Sequence, residues 1–371
     1  MMKFLLLTIG SIVSLSLSAS ADPANIKEWV ELDEGKSAHE LRGSGKTYLR
    51  KVEYALPEPA TTLKRLNAIN PHISTLLPGL GALMESAKVS PYYAQLYAQK
   101  IKQLRSGIFP TTHNFYDCET VLELESPQTH RKVLLVQADM DVVTDGTDPT
   151  RKPALTDYDS ARVSNSFLPF TKYGWPKNSS TPANPFINYY PAALKELQEV
   201  RADLAKRAEE DKGMIWRELL ETCDAQIRYV KGRGNGTNFQ KWTRERRYVL
   251  ATEDPFIVLP NGWFNTGGDW KPRPGDIAAV VYRNKIYPAI LGDSGPETIT
   301  GEASLRLARK LNPEASGRQR AVDGLGVTYL LFPNCRIESG NLDMDHWRNR
   351  VLELLDEIGG VSSADSVHKW E

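Results

Sequence analysis

The sequence predicts an α+β fold: a small six-stranded β-barrel-like core with a helical N-terminal segment and a helical insertion. Three observations carry this. Apolar residues recur at helical spacing in two blocks, 57–107 and 191–230. Six short apolar runs of strand type lie at 121–125, 132–138, 256–260, 277–283, 285–291 and 327–333. Strands and helices do not alternate regularly, which argues against a doubly wound parallel sheet, and six strands are enough to close a small barrel.

The N-terminus sets the expected compartment. Met1-Met2-Lys3 is a short positive start, Phe4 to Leu17 an apolar stretch, and Ala19-Ser20-Ala21 a small-x-small cleavage site. Residues 1–21 therefore read as a secretory signal peptide, too short and too interrupted for a spanning helix. Residues 22–116 form a polar and helical N-terminal segment, and 117–371 a catalytic domain carrying a helical insertion at about 191–232. In the first helical block Leu63, Leu66 and Ile69, then Tyr93, Tyr97, Ile101 and Leu104, mark the apolar stripe, with Pro71 and Pro78-Gly79 as breaks. Val121 to Glu125 alternates, and Val133-Leu134-Leu135-Val136 is nearly continuous. Some 45 residues after Asp145-Gly146 are rich in Pro, Asn, Ser and Tyr, which reads as a long functional loop. Leu194, Leu197, Val200 and Leu204, then Ile215, Leu219 and Ile227, carry the second helical block. Asn284 marks a tight turn between two strands, and helices are expected at 302–311 and 345–358.

Charge and composition exclude several functions. The 46 Lys+Arg balance 46 Asp+Glu, so neither a globally basic nucleic-acid binder nor an acidic disordered tail is in view. The cluster Arg228, Lys231, Arg233, Lys241, Arg244, Arg246 and Arg247 has no base-reading motif beside it and reads as a solvated face. Cys118, Cys223 and Cys335 allow one disulfide at most, and no CxxC or HExxH spacing points to a metal or a cofactor. No nucleic-acid partner is expected, nor a membrane once the leader is gone.

Two acidic motifs carry the candidate chemistry. In Leu291-Gly292-Asp293-Ser294-Gly295-Pro296 an apolar strand ends at Gly292 and Asp293 enters a turn. Nine residues later Glu302 opens a helix behind Gly301. Two carboxylates so placed can flank a scissile glycosidic bond, one protonating the leaving oxygen and the other activating water or attacking. The plainer alternative is a turn aspartate satisfying local N–H groups and a favourable helix-start charge. The second motif is Asp139-Met140-Asp141-Val142-Val143-Thr144-Asp145-Gly146, leaving the end of a strand; Val143 breaks the EF-hand pattern at its fifth position. Residues 117–160 hold ten Asp+Glu against four Lys+Arg, a patch suited to a cation or a solvated loop.

Gly292 to Pro296 followed by Gly301-Glu302-Ala303-Ser304 resembles the family 75 glycoside hydrolases, the chitosanases best known from fungi. Asp139-Met140-Asp141 and Asp145-Gly146 are similar to that family's acidic block. The runs Phe256 to Pro260, Lys285 to Ile290 and Val327 to Pro333 follow its strands in order, so that the resemblance spans roughly 117–335. It implies endo-hydrolysis of β-1,4-linked glucosamine polymer with inversion, and its catalytic Asp and Glu fall on Asp293 and Glu302. The family's block carries a further Asp and a Cys where this chain has Val143 and Thr144. A polycationic substrate suits an acidic surface. Asp139, Asp141 and Asp145 are the candidate amine contacts, or else supports of the barrel end. Trp263, in a loop after a strand, is a candidate sugar platform or a packed core residue. The helix dipole leans Glu302 towards general base and Asp293 towards general acid. The alternatives are a hydrolase of another amino-sugar polymer, a metal-dependent hydrolase using the 139–145 carboxylates, and a non-catalytic secreted glycan-binding protein on the same scaffold.

Overall fold

The computed structural model describes residues 26–31, 49–54, 58–107, 110, 113–143, 171, 173–176, 186–211, helical turns within 216–227, 246–316, 319–337 and 343–371. The expected leader at 1–21, the loop after Asp145 and most of the basic cluster lie outside these residues. Arg247 of that cluster is described, and it is no surface charge: it is buried and paired with Asp254 at 3.1 Å.

The chain begins with an antiparallel pair, β1 (Ile26–Glu31) and β2 (Leu49–Tyr54). Three short helices follow, α1 (Leu63–Ile69), α2 (Ile73–Leu76) and α3 (Leu80–Met84). They are broken near Pro71 and Pro78-Gly79, where proline cannot continue a helix. Strand β3 (Lys88–Val89) leads into α4 (Pro91–Arg105), started by the Ser90 hydroxyl accepting from the Tyr92 N–H with Pro91 at the first turn.

The barrel strands come next. β4 (Thr120–Glu125) and β5 (Lys132–Val143) form a hairpin. The insertion contains α5 (Phe186–Glu210), whose Val200 and Leu204 pack with Cys223 and Ile227. Its ends are brought together by the pairing of β6 (Gly174–Pro176) with β7 (Arg246–Tyr248). Then follow β8 (Phe256–Pro260), β9 (Asp276–Tyr282), β10 (Lys285–Gly295), β11 (Glu302–Ser304), α6 (Leu305–Leu311), β12 (Val322–Arg336) and α7 (Met344–Asp356). The ring runs β11-β8-β10-β9-β12-β5 and closes through a parallel β11–β5 pairing.

The expected six-stranded closed barrel is therefore present, and the fold is α+β. Two of its expected details differ. Strand β4 is outside the ring, hydrogen-bonded along the first half of β5. The sixth place belongs to β11, three residues long, in a segment that the sequence assigns to a helix. The reason is the length of β5: its twelve residues offer one edge to β4 up to Gln137 and to β11 from Asp141 onward. Asp139 sits at the fork.

The near-continuous apolar runs reflect a wall buried on both faces. Val133 and Leu135 pack in one cluster with α1–α3 and α7, while Leu134 and Val136 pack in the other with α4 and α6. The N-terminal helices thus share the barrel's core. At one crossing Gly79 meets Gly359 so closely that a Cβ on Gly79 would lie 2.4 Å from the Gly359 Cα. Among the described residues no helix is long and apolar enough to cross a membrane.

Candidate active site

Asp293 and Glu302 belong to one row of side chains. Val258 on β8 is the register partner of Asp293 on one side and of Glu302 on the other. Glu302 in turn pairs with Asp141 on β5. Register partners point to the same face of a sheet, so Asp141, Glu302, Val258 and Asp293 form a transverse row across four strands. Two strand spacings put the Asp293 and Glu302 Cα atoms about 10 Å apart.

The Glu302 side chain leans across Val258 towards β10. A Cβ placed on Gly295 would lie 2.2 Å from Glu302 Oε2, so glycine there leaves the carboxylate its space. Gly295 is two residues beyond Asp293 on the same face, a step of about 6.7 Å along a strand. The Glu302 carboxylate is thus aimed at the strand that carries Asp293, one pleat along from it.

Local features explain this placement. Strand β10 does not end at Gly292, as the sequence suggests; a bulge between Leu291 and Asp293 carries it on to Gly295. The bulge keeps Asp293 in the row instead of in a turn. A side chain on Gly292 would strike the Phe256 ring at 2.6 Å. Asp293 is 5 % exposed, and its Oδ1 accepts the Ser294 N–H at 2.8 Å. Glu302 lies in a strand because Gly301, with φ +94°, turns the chain in between β5 and β8. The helix starts only after Ser304, whose hydroxyl caps it by accepting the Leu307 N–H. The helix-dipole argument for Glu302 as base therefore does not apply.

The strand β5 also extends further than expected, through Val143, so Asp139 and Asp141 stand within it and not beyond its end. Asp139 is 1 % exposed. Burial pushes its carboxyl well above the usual carboxylate range, and the charges of Asp141 and Asp117 push the same way. Its Oδ2 lies 3.7 Å from Arg320 Nη1, while Arg320 Nε is 3.1 Å from Asp141 Oδ1. The Asp141 N–H donates to Gly301 O at 2.8 Å. At the fork the Tyr329 hydroxyl donates to Asp139 O at 2.7 Å and lies 3.2 Å from Gly301 O, tying β11 to β5 one residue before Glu302. Burial pushes the Tyr329 phenol up, so it keeps its proton for this bond.

The remaining expectations fall differently. Trp263 is 0 % exposed and stacks on Tyr92 with ring centroids 4.8 Å apart. It is a core residue and has no face to offer a sugar; the apolar packing of the loop after β8 decides this. Asp145 lies outside the described residues. Cys118, Cys223 and Cys335 are not joined in any disulfide. Arg320 and Tyr329 were missed by sequence reasoning. Arg320 sits among polar loop residues beside a second arginine, Arg318, and Tyr329 is one aromatic in an ordinary strand run, so neither carries a local signal.

Residues 218–359 match the family described as fungal chitosanase of glycosyl hydrolase group 75. The match begins in the insertion, ends just past α7, and includes both Asp293 and Glu302 together with Arg320 and Tyr329. Over those residues the chain is similar to that family of chitosanases. The match leaves out β4 and β5, so the upstream acidic motif rests on the sequence resemblance and on the geometry described above. No curated protein matches the chain.

Proposed function

We propose that the protein is a secreted, endo-acting hydrolase of β-1,4-linked glucosamine polymer that works with inversion through Asp293 and Glu302. The observation that carries this is the single row on one barrel face, with Glu302 leaning towards Asp293 over a glycine. Inversion needs the two carboxyls roughly 6.5–9.5 Å apart, which leaves room for a water between the second carboxylate and the sugar ring. One carboxyl protonates the leaving oxygen, and the other takes a proton from that water as it attacks the anomeric carbon from the opposite side. The ionised members of the row also favour a polycationic chain, so substrate binding weakens as salt rises. Asp139 and Asp141 act as supports of this pair, Asp139 because it is buried and Asp141 because Arg320 holds it. Asp145 is proposed as an amine contact on the sequence alone.

The test is product release from highly deacetylated chitosan by residues 22–371 and by Asp293→Asn and Glu302→Gln, with the fold of each checked by circular dichroism. Oligomers from the wild type alone, with inverted anomeric configuration by NMR, are the expected result. Binding of chitosan without product from a folded wild type sinks the proposal in favour of a glycan-binding protein. Loss of activity after exhaustive chelation, restored by a divalent metal, sinks the metal-free mechanism.

A further inference from the structure

The bulge that keeps Asp293 in its row is held from outside the ladder that flanks it. Strand β9 pairs with β10 only as far as Ile290. Beyond that point two backbone donors take over. The Gly275 N–H donates to Leu291 O at 2.7 Å, and the Tyr173 N–H donates to Gly292 O at 2.9 Å. Leu291 and Gly292 are the two residues ahead of Asp293, and the register shift against β8 falls between Leu291 and Asp293. Both donors therefore act on the bulge itself.

The two donors are also fitted to each other. Gly275 has φ +95°, a conformation that suits glycine. A Cβ there would lie 2.7 Å from Tyr173 Cε2 and 2.8 Å from its Cζ, so the ring rests against the glycine backbone. Tyr173 is 4 % exposed and stands in the neck of the insertion. Its carbonyl accepts the Val249 N–H at 3.2 Å, the Thr171 hydroxyl donates to Val249 O at 2.9 Å, and Gly174 pairs with Tyr248. Gly275 O in turn accepts the Ile337 N–H at 3.0 Å, just past β12. The neck is thus tied to β10 directly and to the end of β12 through Gly275.

A bulge re-aims the side chains of its strand. Because side chains alternate along a strand, moving the extra residue by one position turns its neighbour to the opposite face. Here Leu291 lies opposite Ile257 and Asp293 opposite Val258, which leaves Gly292 as the extra residue. A slide of the bulge onto Asp293 would take that carboxyl out of the row it shares with Val258 and Glu302.

We propose that Tyr173 is a positioning residue for Asp293: seated on Gly275 and donating to Gly292 O, it pins the bulge at Gly292, so that the neck of the insertion fixes where the Asp293 carboxyl stands. This rests on the reading of Asp293 as a member of the catalytic pair. Loss of such a residue lowers kcat and kcat/KM together, whereas loss of a substrate contact raises KM.

The experiment measures kcat and KM on highly deacetylated chitosan for the wild type, Tyr173→Phe, Tyr173→Leu, Gly275→Ala and Asp293→Asn, and for Tyr173→Leu combined with Asp293→Asn. Thermal unfolding of each preparation refers kcat to folded protein. Tyr173→Leu removes the flat ring from Gly275, and Gly275→Ala pushes that ring away. Each is expected to lower kcat by about 10–100-fold, the scale of a misplacement of about 1 Å, with KM within about twofold of the wild type. Tyr173→Phe keeps the ring and is expected to retain kcat within about threefold. In the Asp293→Asn background, whose residual turnover is read over long incubation, Tyr173→Leu is expected to cost less than about twofold, because no carboxylate is left to misplace. Should Tyr173→Leu not fold, Gly275→Ala and Tyr173→Phe decide the matter. Unchanged kcat in Tyr173→Leu and Gly275→Ala beside an inactive Asp293→Asn overturns the proposal and leaves the catalytic pair standing. An equal fold loss of kcat in both backgrounds overturns it in favour of a general structural role, and a raised KM with unchanged kcat in favour of a substrate contact. A loss in Tyr173→Phe as large as that in Tyr173→Leu also overturns it, since the hydroxyl and not the seated ring would then be at work. An Asp293→Asn enzyme with wild-type activity overturns both this proposal and the catalytic pair.

Discussion

Replacing Gly295 by alanine separates the position of the Glu302 carboxylate, proposed as catalytic, from the stability of the fold. The new Cβ would stand 2.2 Å from Glu302 Oε2 and 3.1 Å from a Val258 methyl, where ordinary contact begins at 3.4 Å. The carboxylate must therefore retreat by about 1.2 Å, the difference between those two distances. Gly295 is not in the left-handed region, so alanine adds no backbone strain. The group that yields is the far end of a flexible side chain, and the cost in stability is small, within about 0.5 kcal/mol. Catalysis is different, because a misplacement of about 1 Å can cost about 100-fold in rate, or about 2.7 kcal/mol in barrier. The assay is kcat from reducing-end release on highly deacetylated chitosan, beside thermal unfolding of the same preparation. Gly292→Ala is the contrasting control. Its Cβ would meet the Phe256 side chain at 2.6–2.8 Å inside the core, so it is expected to lose about 1–3 kcal/mol of stability. A folded Gly295→Ala enzyme with kcat within about threefold of the wild type would mean that the carboxylate over Gly295 is not in its working place.

Two further outcomes follow from buried charge. Asp276 is fully buried at the start of β9, and burial pushes its carboxyl up to about 7, against the opposing hydrogen bond from the Arg273 N–H. A raised folded-state value means that its contribution is intact below about pH 4 and is lost as pH rises through about 7. The loss amounts to about 4 kcal/mol, and urea unfolding of Asp276→Asn is expected to show a flatter pH dependence by that amount over this window. Lys100 is fully buried, its ammonium 2.7 Å from each Glu119 oxygen and 3.3 Å from Asp117 O. Lys100→Met leaves an uncompensated buried carboxylate and is expected to cost about 3–5 kcal/mol in chemical unfolding, whereas Lys100→Met with Glu119→Leu costs clearly less.

Much of the architecture was legible in the pattern of apolar residues. The runs Val133 to Val136, Phe256 to Pro260 and Ile277 to Val281 are strands because their side chains alternate between two packed faces, and both faces are apolar. The N-terminal helices and their breaks were equally visible, since proline and the helical period act locally. The carboxylates Asp293 and Glu302 were visible as residues, and so was the resemblance that singled them out. Their surroundings were not. Asp293 was expected in a turn and Glu302 at a helix start, because Gly, Ser and Pro nearby are ordinary turn residues.

Local periodicity sets the class of fold and the order of five of the six ring strands, because it is written in neighbouring residues, while Asp293 and Glu302 come from the family resemblance and stand as proposed. Tertiary structure alone decided that a three-residue strand closes the barrel, since such a strand has no periodicity of its own and exists only through hydrogen bonds to β5 and β8. It alone decided that Glu302 leans over Gly295 and that Arg320 answers Asp141. Those contacts join residues from distant parts of the chain, and register across strands, which no local pattern encodes, is what brings them together.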